Sequence, residues 1–209
     1  IHVVEPFEIP KHWRKFRSID WGYNDPTCVL WHAVDTEGRV VTYRELYINH
    51  TPASDVAKLI VEMSKGEEIE YTVASPDMWQ KRGLKGIEGE SIAETFLKNG
   101  VPIIPAYNQR ILGWQRIHEY LKIQPDGLPM WRCFSTCHNL IRTLPAAVYD
   151  KNKPEVIDPN CEDHALESLR YFLMSRPRKS IAVEPKTIKI VPFDPLRTPK
   201  RRKRSFMHL

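Results

Sequence analysis

Long hydrophobic runs are missing from this sequence. No window approaches the roughly 18 consecutive apolar residues that a membrane-crossing helix needs, so no membrane partner is expected. A secretory leader is missing as well: the opening IHVVEPFEIPKHWRKF has neither a basic start before an apolar core nor a small-residue cleavage site. It also lacks an initiating Met, which fits a piece excised from a longer protein. Cysteine is sparse. Four residues (Cys28, Cys133, Cys137 and Cys161) in 209 do not make a disulfide scaffold, and a reduced cytoplasmic setting is the default. Cys133, Cys137 and His138 lack the usual zinc pair spacings and a clear fourth ligand, so they read as buried or helical residues. There is no internal repeat and no G-x-x-x-x-G-K-[ST] phosphate loop.

What is present is enough for a real core: 42% hydrophobic and 27% charged residues fit one large domain or a domain with appendages. The net charge of +5 is uneven. Six of the 31 Lys and Arg fall in RTPKRRKR (197–204), and without them the bases number one fewer than the 26 acids. The globular part is therefore near neutral and carries a cationic arm, suited to phosphate or to solvent alone.

Along the chain, FRSIDW (16–21), TCVLWHAVD (27–35) and RVVTYRELYI (39–48) read as strands. The turn chemistry of NDP (24–26) and EG (37–38) joins them into an antiparallel meander. TPASDVAKLIVEMSKG (51–66) predicts a helix, with Thr51 as cap, Pro52 at the first position, Gly66 as stop, and Val56, Leu59, Ile60 and Met63 on one face. IEYTVASPD (69–77) predicts a fourth strand and VPIIPA (101–106) a fifth. ESIAETFLKNG (90–100) and RILGWQRIHEYLK (110–122) predict helices; the second sets Ile111, Trp114, Ile117, His118 and Leu121 at helical spacing. MWRCF (130–134) reads as a short strand. TCHNLIRTLPAAVYD (136–150) reads as a helix interrupted near Pro145, and EDHALESLRYFLM (162–174) as the last helix. The order predicts an α/β layered fold: a mixed five-stranded sheet with helices on both faces. By analogy the strand order is 3-2-1-4-5, the ribonuclease H-like arrangement. Residues 1–15 read as a lead-in, 16–175 as this domain and 176–209 as an extended basic tail.

Three acids fall where such a sheet would gather them. Asp20 ends the first strand and Asp77 the fourth; as parallel neighbours these strands would bring both to one carboxyl edge. Asp163 opens the last helix, three residues before Leu166, on the face turned towards the sheet. Each acid has a plain alternative. Asp20 and Asp77 sit at turns, and with Asn160 as N-cap Asp163 would be the N3 acid of a capping box. Taken together, three repelling carboxylates call for a divalent cation, and oxygen ligands favour Mg²⁺ or Mn²⁺. Two ions about 3.5–4 Å apart would clamp an in-line displacement at a phosphodiester, with no Ser or Cys nucleophile. Asp25 stays between a turn role and the rim of the site, and His164 between a helix-start residue and a proton shuttle. Lys81, Arg82 and Lys85, in QKRGLKGIEGES (80–91), form a basic connection after Asp77. It would touch a DNA backbone or simply link elements.

SIDWGYNDPTCVLW (18–31), YTVASPDMW (71–79) and EDHALESLRYFL (162–173) together resemble the nuclease domain of tailed-phage terminase large subunits, over roughly residues 16–175. GESIAETFLKNGVPIIPA (89–106) adds to the likeness. The resemblance implies a metal-dependent endonuclease that cuts concatemeric double-stranded viral DNA in the host cytoplasm, leaving 5′-phosphate and 3′-hydroxyl ends. It places the catalytic, metal-binding acids on Asp20, Asp77 and Asp163. It implies an ATPase domain in the parent protein, with a small terminase subunit and a portal as partners. No base-reading module is present, so little sequence preference is expected. The rivals are another ribonuclease H-like nuclease, of junction resolvase or transposase type, and a non-catalytic portal- or DNA-docking module.

Overall fold

The computed structural model describes residues 1–81, 89–151, 157–158 and 160–176. Seven strands form one sheet: β1 (Val3–Val4), β2 (Arg14–Asp20), β3 (Thr27–Val34), β4 (Val40–Ile48), β5 (Ile69–Ala74), β6 (Ile104–Pro105) and β7 (Trp131–Phe134). Their order is β1-β7-β4-β3-β2-β5-β6. The middle of this list, β4-β3-β2-β5-β6, is the expected 3-2-1-4-5. β2, β3 and β4 pair antiparallel as the meander, while β5 lies parallel to β2 and β6 parallel to β5. Two strands are added at the β4 edge: β7 is parallel to β4, and β1 is parallel to β7. The lead-in is thus not irregular throughout, since it supplies β1 and the first two residues of β2. Among the described residues no helix is long and apolar enough to cross a membrane.

Five α-helices lie among the described residues: α1 (Ala53–Met63), α2 (Ile92–Lys98), α3 (Arg110–Leu121), α4 (His138–Thr143) and α5 (His164–Ser175). All eight residues of β3 are buried, as a central strand covered on both faces requires. The two-residue alternation of β2 divides its side chains between those faces. Arg17 bonds Ser64 at the end of α1 and Thr72 of β5, both at 3.0 Å. Phe16, Ser18 and Asp20 point instead at α5.

That second contact has a simple metric. Phe16 packs on Phe172 (ring centroids 5.6 Å apart), Ser18 bonds Ser168 (2.9 Å), and Asp20 meets His164 (3.1 Å). Two strand residues advance about 6.6 Å and four helix residues about 6 Å. A helix running back along β2 therefore keeps step with it at every fourth residue. Nine consecutive α5 residues, Ala165–Leu173, are buried. His32 is fully buried in this seam, stacked on Phe172 at 3.9 Å and bonded to Ser18 (2.8 Å) and Thr42 (3.0 Å). Burial holds its pKa well below the ordinary value.

Several expected boundaries shift. β5 stops at Ala74, because Pro76 has no N–H for the ladder and the chain turns into a 3₁₀ helix, Pro76–Trp79. Asp77 consequently lies beyond the strand, not at its end. α4 runs from His138 to Thr143 and ends ahead of Pro145, where the interruption was expected; it is not resumed as a helix up to 150. Ile111 of α3 is 43% exposed, whereas Trp114 and Ile117 are buried. Cys133 and Cys137 are buried free thiols, and burial pushes Cys133 up to about 12; they belong to the core.

Candidate active site at the carboxyl edge of the sheet

Asp20 is the last residue of β2, and the chain leaves the sheet through the closed turn Gly22–Asp25. Gly22 is needed there: a Cβ at this position would lie 2.4 Å from the Asp25 carbonyl oxygen. The Thr27 hydroxyl ties the turn shut, donating to the Gly22 carbonyl (2.6 Å) and accepting from its N–H (3.2 Å). The turn keeps the exposed Asp25 near enough for its charge to raise the pKa of His164.

The start of α5 covers the same edge. Asp163 occupies the N-cap position itself and its side chain makes no capping hydrogen bond. The capping box from Asn160 is therefore not formed, and the Asp163 carboxylate is not used up by the helix. The preceding acid, Glu162, is committed elsewhere: it accepts from Tyr47 Oη on β4 (2.6 Å) and from both terminal nitrogens of Arg142 on α4 (2.6 Å each). These partners, Arg142 first, hold its pKa down to about 2. Of the neighbouring acids Glu162 and Asp163, one anchors the helix and the other faces the edge.

The electrostatics follow from burial. The Asp20 side chain is 13% exposed, and desolvation pushes its pKa up to about 6. The hydrogen bond from His164 Nδ1 opposes that rise, while the charges of Glu167 and Asp163 add to it. Asp163 is raised for the same reasons, burial first and Glu167 second. His164 is raised chiefly by its bond to Asp20. The edge thus holds carboxylates that burial and mutual repulsion destabilise as anions, a condition a divalent cation would relieve. The donors are carboxylate oxygens, which suit Mg²⁺ or Mn²⁺.

Asp20, Asp163 and His164 come together as a group. Asp77 does not join them in contact. It stands exposed on the 3₁₀ turn beyond β5, at the same edge, where Ile19 pairs with Ala74 and the Ser75 N–H donates to the Ile19 carbonyl at 3.0 Å. Among the described residues no three His, Cys, Asp or Glu side chains already have metal-ligand spacing. Lys81 is exposed just past the same turn. Arg82 and Lys85 lie outside the described residues, as does the basic segment 197–204.

The sequence reading missed a layer behind the acids. Glu167, one helical turn after Asp163, is 3% exposed and paired with the fully buried Arg170. Arg170 Nε donates to it at 2.9 Å, and Nη2 reaches both Glu167 and Asn108. Arg110, the first residue of α3, lies 3.7 Å from the other Glu167 oxygen. The i, i+4 spacing of Asp163 and Glu167 was a readable signal; the partners on α3 were not. A cavity of about 490 Å³ lies apart from the acids, with Trp114, Ile117, Trp131, Ile141 and Leu144 among its walls.

No protein-family model and no curated protein sequence matches the chain. Solved structures do. The P22 large terminase nuclease domain superposes with a TM-score of 0.66 at 19% identity, over 82% of this chain and 86% of that one. A full large terminase from a thermophilic bacteriophage gives 0.67 at 17% identity, over 82% of this chain but 42% of its own; this chain thus spans less than half of that protein. The large terminase nuclease of thermophilic phage G20c, in a structure with bound zinc, gives 0.53 at 17% identity, over 82% and 91%. The chain has the fold of these nuclease domains, the ribonuclease H-like arrangement expected from its element order, extended here by β7 and β1.

Proposed function

We propose that this chain is the nuclease part of a viral genome-packaging terminase large subunit, a divalent-metal-dependent endonuclease that cuts concatemeric double-stranded DNA. The observation that carries the reading is Asp20: a largely buried carboxylate at the carboxyl edge of the central sheet, pushed up to about 6 beside a second raised acid, Asp163. Such a site is costly to the empty protein and suits a bound cation. The shared fold and the zinc held by the G20c nuclease support the same reading.

In this reading Asp20 and Asp163 hold the metal, Mg²⁺ or Mn²⁺, with Asp77 contributing from the neighbouring turn. Two bound ions would lower the pKa of an attacking water and neutralise the leaving oxygen. The protein's own groups set that chemistry up. His164 donates from Nδ1 to Asp20 Oδ2, which fixes the carboxylate and places the ring proton on Nδ1. Asp25 lies at the rim. Lys81, with Arg82 and Lys85, is assigned to the DNA backbone. The domain reading of 16–175 as the nuclease and 176–209 as a basic tail is retained, with β1 now joined to the nuclease sheet. An ATPase domain, a small terminase subunit, a portal and the host cytoplasm belong to the parent protein.

Plasmid incubated with Mn²⁺ tests the reading. The wild type should nick and linearise it, EDTA should stop cleavage, and Asp20→Asn or Asp163→Asn should lower the rate at least a hundredfold. Cleavage that survives EDTA, or that persists in either variant, would refute the metal assignment. Strong preference for four-way junctions over linear duplex would instead identify a resolvase.

A further inference from the structure

Arg110 is a cation in an unfavourable place. It is the first residue of α3, where the helix dipole presents partial positive charge. Its side chain is 55% exposed. Its ion partner, Glu167 Oε1, is 3.7 Å away, beyond hydrogen-bond reach. That same oxygen is buried without a hydrogen-bond partner, while Glu167 Oε2 is already taken by Arg170. Among the described residues Arg110 donates no hydrogen bond, so its donor fork is not spent on the fold. Yet it stands beside the acids: Glu167 is one turn from Asp163, its N–H donating to the Asp163 carbonyl at 2.7 Å, and the Arg110 charge is felt at Asp163.

We infer that Arg110 is a substrate-binding residue of this edge, its guanidinium taking a phosphate of the nucleic-acid strand that enters beside Asp163. An edge rich in carboxylates repels a polyanion, and a planar fork matches two phosphate oxygens. Glu167, held from behind by Arg170, keeps Arg110 aimed at the edge without occupying its donors. This inference rests on the nuclease reading for its substrate, and it adds a residue to which neither the sequence nor the fold comparison gave a role.

The competing role is charge balance alone, in which Arg110 merely offsets Glu167. The two roles differ in sign. Removing a cation from an acidic edge strengthens divalent-ion binding in either case, but only a phosphate contact also weakens DNA. Labelled duplex binding would be measured by fluorescence anisotropy, with Ca²⁺ replacing Mn²⁺, between about 50 and 200 mM salt. Mn²⁺ binding would be followed by calorimetry. Arg110→Ala should weaken DNA binding roughly tenfold, flatten the salt dependence by about one unit, and leave Mn²⁺ affinity equal or higher. Arg110→Lys should keep the salt dependence and recover only part of the affinity. Lys58→Ala, which removes an exposed charge from α1, should leave affinity unchanged. Melting temperatures within a few degrees of wild type would confirm that the variants are folded. Unchanged DNA affinity and salt dependence in Arg110→Ala, with tighter Mn²⁺, would overturn the inference and leave the nuclease reading standing. A wild type that fails to cut with any divalent ion would sink the nuclease reading, while the binding comparison would still decide Arg110.

Discussion

At the scale of single residues, Asp20 is held by the fold in a form it would not choose in water. Its ordinary pKa is 3.8 and burial lifts it to about 6. A raised acid binds protons more tightly in the folded state, so its contribution is fully present below about pH 4 and is lost as pH rises through about 6. In EDTA the wild type should therefore lose stability relative to Asp20→Asn between pH 4 and pH 6, the variant having no proton to release. Denaturant midpoints at several pH values measure this, and a constant difference between the two proteins would show that Asp20 carries no such penalty. Glu162 illustrates the opposite case one residue from Asp163. Two adjacent acids in the sequence are equivalent candidates until their partners are known. Arg142 and Tyr47 claim Glu162, and Asp163 keeps its oxygens.

At the scale of elements, α5 is the piece that assembles the site. Its stripe His164, Ser168, Phe172 keeps step with Asp20, Ser18, Phe16 on β2. The Tyr47–Glu162–Arg142 contacts pin the residue just before its N-cap to β4 and α4. Glu162→Gln should change overall stability little, since the pair is partly exposed and screened. It should weaken Mn²⁺ binding several-fold, because Asp163 follows directly from the pinned residue. Calorimetry on that variant, with Tyr47→Phe beside it, makes the comparison; full Mn²⁺ affinity in both would mean that the latch does not position Asp163. The β5 turn acts differently. Pro76 ends the ladder and carries Asp77 out past the strand, so this acid is placed by a loop while Asp20 and Asp163 are placed by packed elements.

At the scale of the whole molecule, the proposed function makes the sheet edge a place where an ion that binds only the folded state would add stability. Mn²⁺ should raise the melting temperature of the wild type in proportion to the logarithm of its concentration, and should raise those of Asp20→Asn and Asp163→Asn much less. Equal shifts in all three proteins would place the ion elsewhere.

The element order and the central meander were legible in the sequence, because alternation, capping and turn chemistry act over a few residues, and the three acids are candidates read from where those elements end. Of the two extra strands, β7 was legible as the short strand MWRCF but its place beside β4 was not, and β1 was not legible at all. β1 is two residues long and exists only because Val3 and Val4 find Cys133 and Phe134, a pairing 130 residues distant. Glu167 could be read from its spacing to Asp163, but its partners Arg170, Asn108 and Arg110 could not, since α3 and α5 meet only after the sheet has formed. The sequence by itself determined which residues could serve as ligands and roughly where along each element they lie. The tertiary structure alone decided which acids are desolvated, which one is neutralised by an ion pair, and which one stands in solvent. Desolvation and charge pairing depend on neighbours in space, and at this edge Asp20 meets His164 from 144 positions away along the chain.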